Sequence, residues 1–177
     1  MQRLKQLMTI AVLSLSMVGV SATSASAAPS RATLAAVVKA VEYENVGGAN
    51  YGYYKARYPS QINWTNDGCS VPKYVWVSPA LGLVLRHYSG VFEHSCDRHD
   101  FGYRNYGKGS SPGVHLKLDP TEARRDSIDS RFYSNMKLQC SSRYSHWYEV
   151  AAKGACNSAA SVYYEAVARG GKTAFFG

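Results

Sequence analysis

The chain has 177 residues, 46% of them hydrophobic and 18% charged, and its 20 Lys and Arg outnumber its 12 Asp and Glu, so that the formal net charge is +8. This length provides one modest hydrophobic core and excludes a large multidomain enzyme. The basic balance favours an anionic partner, and by itself it excludes neither nucleic acid nor acidic phospholipid.

The N-terminal residues have the pattern of a secretion signal. Two basic residues are followed by an apolar run from Leu7 to Val20 and by small residues around Ala27. This predicts a signal peptide of residues 1–27 and a single mature domain of residues 28–177, secreted and extracellular. The run is short for a membrane span, and an uncleaved anchor is the alternative. Because two of the 20 basic residues and none of the acidic ones lie in the signal, the mature chain is +6.

Two helices are predicted before the first cysteine. The first covers Arg31 to Asn45, where apolar residues at helical spacing form one face, and a glycine pair ends it. The second is short and covers residues 51–58, up to Pro59. The next apolar stretch, residues 71–93, is interrupted by two prolines. We predict an irregular or hairpin-like insertion there, packed on the helices; exposure of part of it at an interface is the alternative.

Residues 93–105 are predicted to form the central helix. Cys96, His99 and Tyr103 are three and four residues apart, so they share one face of that helix. Asp100 lies about 100° further round. One short segment therefore offers an imidazole to one neighbour and a carboxylate to another.

The C-terminal third is predicted to be helical as well. The segment Asp119-Pro-Thr-Glu122 combines a capping acceptor, a proline and a glutamate, which predicts a long helix that starts at the Asp119 cap and runs to about Cys140. Residues 142–154 are predicted to be a loop with a helical turn, and residues 157–168 another helix. No internal repeat or interdomain linker is found, so the fold is predicted to be mostly α.

All four cysteines follow the predicted signal, and an even number in an exported chain indicates disulfides. Of the three connectivities, we favour Cys69–Cys96 with Cys140–Cys156, because the second bridge closes a short loop between two predicted helices. A zinc site that includes Cys96 and His99 is the rival, but a second closely spaced ligand pair is missing from the sequence.

A Cys69–Cys96 bridge would hold the turn at Asp67-Gly68 beside Asp100. Two carboxylates and a peptide carbonyl would then converge, and oxygen ligands of this kind suit Ca²⁺. His99 would lie next to that metal without binding it, as a base for a water molecule. The long helix offers two carboxylates to orient the imidazole, Asp126 and Asp129.

Four segments together resemble the secreted bacterial and fungal phospholipase A2 family. Cys96-Asp-Arg-His-Asp-Phe-Gly-Tyr-Arg-Asn-Tyr106 is similar to its active-site helix. Asp67-Gly-Cys69 precedes this segment and Ser127-Ile-Asp-Ser-x-Phe-Tyr133 follows it, as in the family. Ala155-Cys-Asn-Ser158, followed by Tyr163-Tyr164, also resembles the family. The similarity runs from about Trp64 to the C-terminus, apart from the insertion.

The resemblance implies roles for individual residues. His99 would be the general base, and Asp129 rather than Asp126 would orient it, because the Ile-Asp-Ser setting belongs to that position. Asp67 and Asp100 would give carboxylate oxygens to Ca²⁺. Gly68 would give its main-chain carbonyl, although leucine is usual there. The two favoured disulfides match the family's pairing.

The resemblance also implies the fold and the reaction. The fold would be a small disulfide-stapled helical bundle in which two antiparallel long helices carry the site. The reaction would be calcium-dependent hydrolysis of the sn-2 ester of a glycerophospholipid at a membrane, micelle or vesicle surface, by a monomer that does not bind nucleic acid. A non-catalytic lipid- or cell-surface-binding protein on the same scaffold is the alternative, and a basic secreted nuclease is a third, weaker hypothesis. The insertion is hypothesised to form part of the lipid-binding rim, through Tyr74, Trp76 and its leucines.

Overall fold

The computed structural model describes residues 27–70, 79–109 and 112–177. In these ranges every regular element is a helix, which agrees with the predicted mostly α fold. The helices are α1 (Arg31–Tyr43), α2 (Asn50–Arg57), α3 (Pro79–Tyr106), α4 (Glu122–Arg143), α5 (Val150–Gly170) and α6 (Lys172–Phe176), with a 3₁₀ turn at Trp147–Glu149 before α5. No helix in the described ranges is long and apolar enough to cross a bilayer.

Helix α1 confirms the predicted first helix, although it ends at Tyr43. The side chain of Ser30 caps it by accepting a hydrogen bond from the backbone N–H of Thr33 at 3.1 Å. Its buried face joins the rings of Trp64 and Phe101 in one core cluster, together with Phe175 of α6. The buried residues of α1 are Leu34, Val37, Val38, Val41 and Glu42.

Helix α3 corrects the prediction of an irregular or hairpin-like insertion at 71–93. It begins at Pro79 and continues without interruption to Tyr106. A proline in the first turn of a helix loses no backbone hydrogen bond, so it marks a start here rather than a break. Leu85, Tyr88 and Phe92 form a buried stripe that leads along the helix to Cys96. Of the residues assigned to the hypothesised lipid-binding rim, Leu83 is exposed. Tyr74 and Trp76 fall in residues 71–78, outside the described ranges.

Helix α4 starts later than predicted. Thr121, not Asp119, is the cap, because its side-chain oxygen accepts the backbone N–H of Arg124 at 3.2 Å. Asp119 instead accepts hydrogen bonds from the Thr121 hydroxyl at 2.9 Å and from Nε of Arg124 at 3.0 Å. At its other end α4 extends past Cys140 to Arg143.

Helix α5 is longer than the predicted 157–168, because it begins at Val150, directly after the 3₁₀ turn, and ends at Gly170. Helix α5 packs on α4, and α4 packs on α3. Buried residues of these three helices form a second core cluster. Gly102 of α3 lies beside Ile128 of α4, and the Ser95 hydroxyl, earlier in α3, donates a hydrogen bond to Gln139, later in α4. The two long helices therefore run antiparallel, as predicted.

Gly102 allows α3 and α4 to approach closely. A Cβ atom at this position would lie 3.0 Å from Cγ2 of Ile128, so a larger residue would require the Ile128 side chain to shift. Gly102 lies one turn after His99. The close contact of α3 with α4 at this point places His99 within hydrogen-bonding distance of Asp129 on α4. The cost of a glycine within a helix is therefore offset by the contact it permits.

Both predicted disulfides are confirmed. Cys69 is bonded to Cys96, with the two Cα atoms 5.2 Å apart, and Cys140 is bonded to Cys156, with the Cα atoms 5.7 Å apart. The first joins the loop after α2 to the middle of α3, and the second joins α4 to α5. The proposed zinc site is thereby wrong, because Cys96 has no thiolate to offer a metal.

Candidate active site

His99 and Asp129 form a buried pair across α3 and α4. Nε2 of the imidazole lies 2.9 Å from Oδ1 of Asp129, and both residues are less than a tenth exposed. Since a carboxylate accepts hydrogen bonds, the network assigns the ring proton to Nε2 and leaves the lone pair on Nδ1. The nearest carboxylate oxygen to Nδ1 is Oδ1 of Asp100 at 4.0 Å, beyond hydrogen-bonding distance. Nδ1 is therefore available as a base.

Asp129 is held by two further donors. The Tyr103 hydroxyl donates to Oδ1 at 2.7 Å, and Nη1 of Arg125 donates to Oδ2 at 2.8 Å. Burial, reinforced by the charge of Asp129, raises the pKa of Tyr103, so this hydroxyl stays a donor. The other predicted orienter, Asp126, pairs with Nη2 of Arg125 at 2.6 Å, and its side chain is 64% exposed. The structure thus brings Asp129, not Asp126, to the imidazole.

Asp67 and Asp100 form a second group close to His99. The backbone N–H of Asp67 donates to Oδ2 of Asp100 at 2.9 Å. Arg104 pairs with both, through Nη2 to Oδ1 of Asp67 at 2.8 Å and through Nη1 to Oδ2 of Asp100 at 2.9 Å. The Cys69–Cys96 bridge fixes this arrangement, because it ties the Asp67 loop to α3 one turn before Asp100.

The pKa values of the two carboxyl groups are shifted in opposite directions. Burial, and then the hydrogen bond to Asp67, raise the pKa of Asp100 to about 6. The hydrogen bond from Asp100, with support from Arg104, lowers the pKa of Asp67.

Gly68 adds a main-chain oxygen next to this pair. Its φ is +68°, in the left-handed region, and a Cβ there would meet no atom within 4 Å. Glycine is thus favoured here by the backbone conformation rather than by lack of space. The Gly68 carbonyl accepts one hydrogen bond, from Ser70 N at 3.0 Å, and a carbonyl oxygen has a second lone pair for another partner.

One cavity of about 650 Å³ connects the two groups. Its polar side comprises Asp67, Gly68, Ser70, His99, Asp100, Tyr103 and Arg104. Its apolar side comes mainly from Phe132, Tyr163, Ala166, Val167 and Ala174. A cavity lined by both polar and apolar residues suits a ligand that has a charged head and a hydrocarbon part.

The predicted site residues therefore lie around a single cavity, apart from Asp129, which lies behind His99. Comparison with known proteins identifies the family. The family model described as prokaryotic phospholipase A2 matches residues 48–171, more than half of the chain. This chain belongs to the prokaryotic phospholipase A2 family. The sequence resemblance to phospholipases A2 is confirmed by this match.

A curated relative is also similar. The protein named "Secretory phospholipase A2" from Beauveria bassiana (strain ARSEF 2860) is 32% identical over 110 residues. The alignment covers 62% of this chain and 44% of the fungal protein, so the chain spans less than half the length of that relative.

The family match contains every predicted site residue and leaves α1 and α6 outside its limits. In this phospholipase A2 family member, α6 nevertheless contributes to the site, whereas α1 packs in the core beside it. Leu34 and Val38 of α1 pack in the cluster that holds Phe101. In α6, Ala174 lines the cavity, and the buried ring of Phe175 packs edge-on against Tyr103, 5.1 Å between centroids.

Three residues of the site have roles that the sequence analysis missed. Arg125 and Tyr103 hold Asp129, and Arg104 bridges the two other aspartates. Helical spacing contains a signal for each of them, because Tyr103 and Arg104 follow His99 and Asp100 by four residues and Arg125 precedes Asp129 by four.

Proposed function

We propose that this chain is a secreted, calcium-dependent phospholipase A2 that hydrolyses the sn-2 ester of glycerophospholipids to a lysophospholipid and a free fatty acid. The observation that carries the proposal is the single cavity, which is lined by His99, Asp67 and Asp100 together with apolar side chains. Family membership and the name of the fungal relative support the same activity. The predicted signal at 1–27 and the two disulfides support secretion.

The chemistry of the donor set fits calcium. Asp67, Asp100 and the Gly68 carbonyl offer hard oxygen ligands, and water completes the coordination that Ca²⁺ requires. Within the described ranges, no three His, Cys, Asp or Glu side chains lie close enough to share a metal, so the proposal depends on the main-chain oxygen and water. Bound calcium would supply Lewis-acid stabilisation of negative charge on the ester carbonyl oxygen.

The residues of the chain perform the proton transfers in this mechanism. Nδ1 of His99 takes a proton from a water molecule as the water oxygen forms a bond to the sn-2 carbonyl carbon. Asp129, held by Tyr103 and Arg125, fixes the orientation of the ring and stabilises the imidazolium. The imidazolium then returns the proton to the glycerol oxygen as the ester C–O bond breaks. The apolar wall of the cavity excludes bulk water and holds the acyl chain.

The proposal is tested with a phosphatidylcholine that carries palmitate at sn-1 and oleate at sn-2. In vesicles with calcium, mass spectrometry should detect free oleate and 1-palmitoyl lysophosphatidylcholine. A folded protein that releases palmitate alone, or no fatty acid at all, would contradict the proposal and favour a non-catalytic binding protein. Release of acid-soluble nucleotides from DNA or RNA would favour the nuclease hypothesis instead.

Replacing Tyr103 with phenylalanine tests the support of Asp129. The variant loses the 2.7 Å hydrogen bond to Oδ1 and should lower kcat by about fivefold, the value of one hydrogen bond. Steady-state oleate release at saturating calcium measures this. Tyr133→Phe is the matched control, because the Tyr133 hydroxyl contacts Ser161 at 3.2 Å and not the site. Equal kcat values for the two variants would remove Tyr103 from the mechanism.

A further inference from the structure

An exposed apolar surface lies at the junction of α4 and α5. Trp147 is 87% exposed, Tyr148 66% and Val150 71%, and we call these three residues the Trp147 patch. Large aromatic side chains are usually well buried. Three exposed apolar side chains within four consecutive positions therefore indicate a surface that another molecule covers.

The Trp147 patch is held in place by its surroundings. The His146 ring stacks on Tyr148 with an interplanar angle of 2° and 5.2 Å between centroids. The Glu149 carboxylate accepts the backbone N–H of His146 at 2.9 Å, which closes the 3₁₀ turn. The Cys140–Cys156 bridge ties together the two helices that flank the turn. These contacts fix the backbone of the turn that carries the patch.

The charge around the patch is positive. Between Arg131 and Tyr164 the sequence contains one acidic residue, Glu149, and its carboxylate is engaged in the turn. Arg143 precedes the turn and is exposed, and Lys153 follows Val150 by one helical turn. Apolar aromatic rings flanked by cations are typical of proteins that bind the interface of an anionic bilayer.

The Trp147 patch is separate from the cavity. None of its three residues lines the cavity. Val150 precedes the cavity residue Tyr163 by 13 positions on α5, which corresponds to about 20 Å along the helix. The exposure of the Trp147 patch is therefore not explained by the cavity.

We propose that the Trp147 patch docks the protein on an anionic phospholipid surface, with the rings of Trp147 and Tyr148 at the boundary between headgroups and acyl chains. Arg143 and Lys153 then lie at the level of the anionic headgroups. The inference rests on the proposed function for its choice of a lipid partner. It adds a contact point, remote from the cavity, that holds the protein on its substrate surface.

Sedimentation with vesicles of ether-linked phospholipids tests this docking without hydrolysis, because these lipids have no ester bond. The wild-type chain should bind vesicles that contain ether-linked phosphatidylglycerol much more tightly than vesicles of ether-linked phosphatidylcholine alone. The double variant Trp147→Ala, Tyr148→Ala should bind the anionic vesicles about tenfold more weakly, since both rings lose their burial. Arg143→Gln with Lys153→Gln should weaken binding at low salt and have less effect at high salt.

Tyr53→Ala is the matched control, because Tyr53 is a comparably exposed aromatic residue, 60% exposed, on α2. It should bind as the wild type does, and thermal melts should show that all variants are folded. The docking proposal is overturned if the wild type does not bind anionic vesicles, or if the aromatic double variant binds them as tightly as Tyr53→Ala does. It is also overturned if ultracentrifugation shows a self-association that the double variant loses while its vesicle binding is unchanged. Since the lipids cannot be hydrolysed, these outcomes are independent of whether the chain is a phospholipase.

Discussion

Replacing His99 with glutamine is expected to lower kcat for oleate release by about 10²–10⁴-fold, the contribution of a positioned general base. Glutamine has a similar size and can still donate to Asp129, but it has no nitrogen that accepts a proton near neutral pH. Tyr103 and Arg125 keep their contacts with Asp129 in this variant, so the fold should persist. Initial rates of fatty-acid release from phosphatidylcholine vesicles at saturating calcium measure the effect.

The matched control is His87→Gln, which changes an exposed histidine on the same helix, outside the cavity. It should keep the wild-type rate. If the His99 variant is folded and retains more than about a tenth of the wild-type rate, its imidazole is not the base.

Replacing Asp100 with asparagine is expected to weaken calcium binding by at least about tenfold, because one of two negatively charged ligands is lost next to a divalent cation. The asparagine oxygen can still accept the backbone N–H of Asp67, so the loop should keep its position. The wild-type dissociation constant is expected at about 10⁻⁴–10⁻³ M, as in extracellular calcium modules. Isothermal titration calorimetry measures the affinity, and the calcium dependence of oleate release should shift by the same factor.

Asp126→Asn provides the comparison, since Asp126 is exposed, pairs with Arg125 and does not line the cavity. It removes the same charge from the chain and should leave calcium affinity unchanged. Equal calcium affinities for the two variants would show that Asp100 is not a ligand. A shift in affinity without a matching shift in activity would separate calcium binding from catalysis.

The parts of the fold that were predicted from the sequence depend on local or covalent rules. The apolar stripe of α1 follows the helical period. Of the three possible connectivities, the correct one was favoured because Cys140–Cys156 closes a short loop between predicted helices, and the family resemblance implied the same pairing. The central motif around His99 and Asp100 was recognisable because its residues are close in sequence. These features require no knowledge of how the helices pack.

The parts that were predicted wrongly involve competing local signals. Pro79 was interpreted as an interruption, whereas it is the first residue of a helix whose buried stripe includes Leu85 and Phe92. Asp119 and Thr121 are both good capping residues, and the structure shows that Thr121 caps the helix. The sequence offers no rule that ranks two acceptors so close together.

The environment of the site also depends on tertiary packing. The choice between Asp126 and Asp129 was made by resemblance, whereas in the structure it follows from the rotation of α4, which buries Asp129 and exposes Asp126. The bridging of two aspartates by Arg104 depends on a loop that is more than 30 positions away in sequence. Contacts of this kind follow from the crossing of α3 with the loop and with α4, which a single sequence does not specify.

The most direct test of the account is the release of oleate from vesicles by the wild-type chain, first in excess EDTA and then with calcium restored. A base at His99 beside a calcium site at Asp67 and Asp100 predicts no measurable release in EDTA and full recovery when free calcium reaches the millimolar range. Undiminished oleate release in excess chelator, by a protein whose His99→Gln variant is inactive, would contradict the account, because hydrolysis would then need the histidine without the metal.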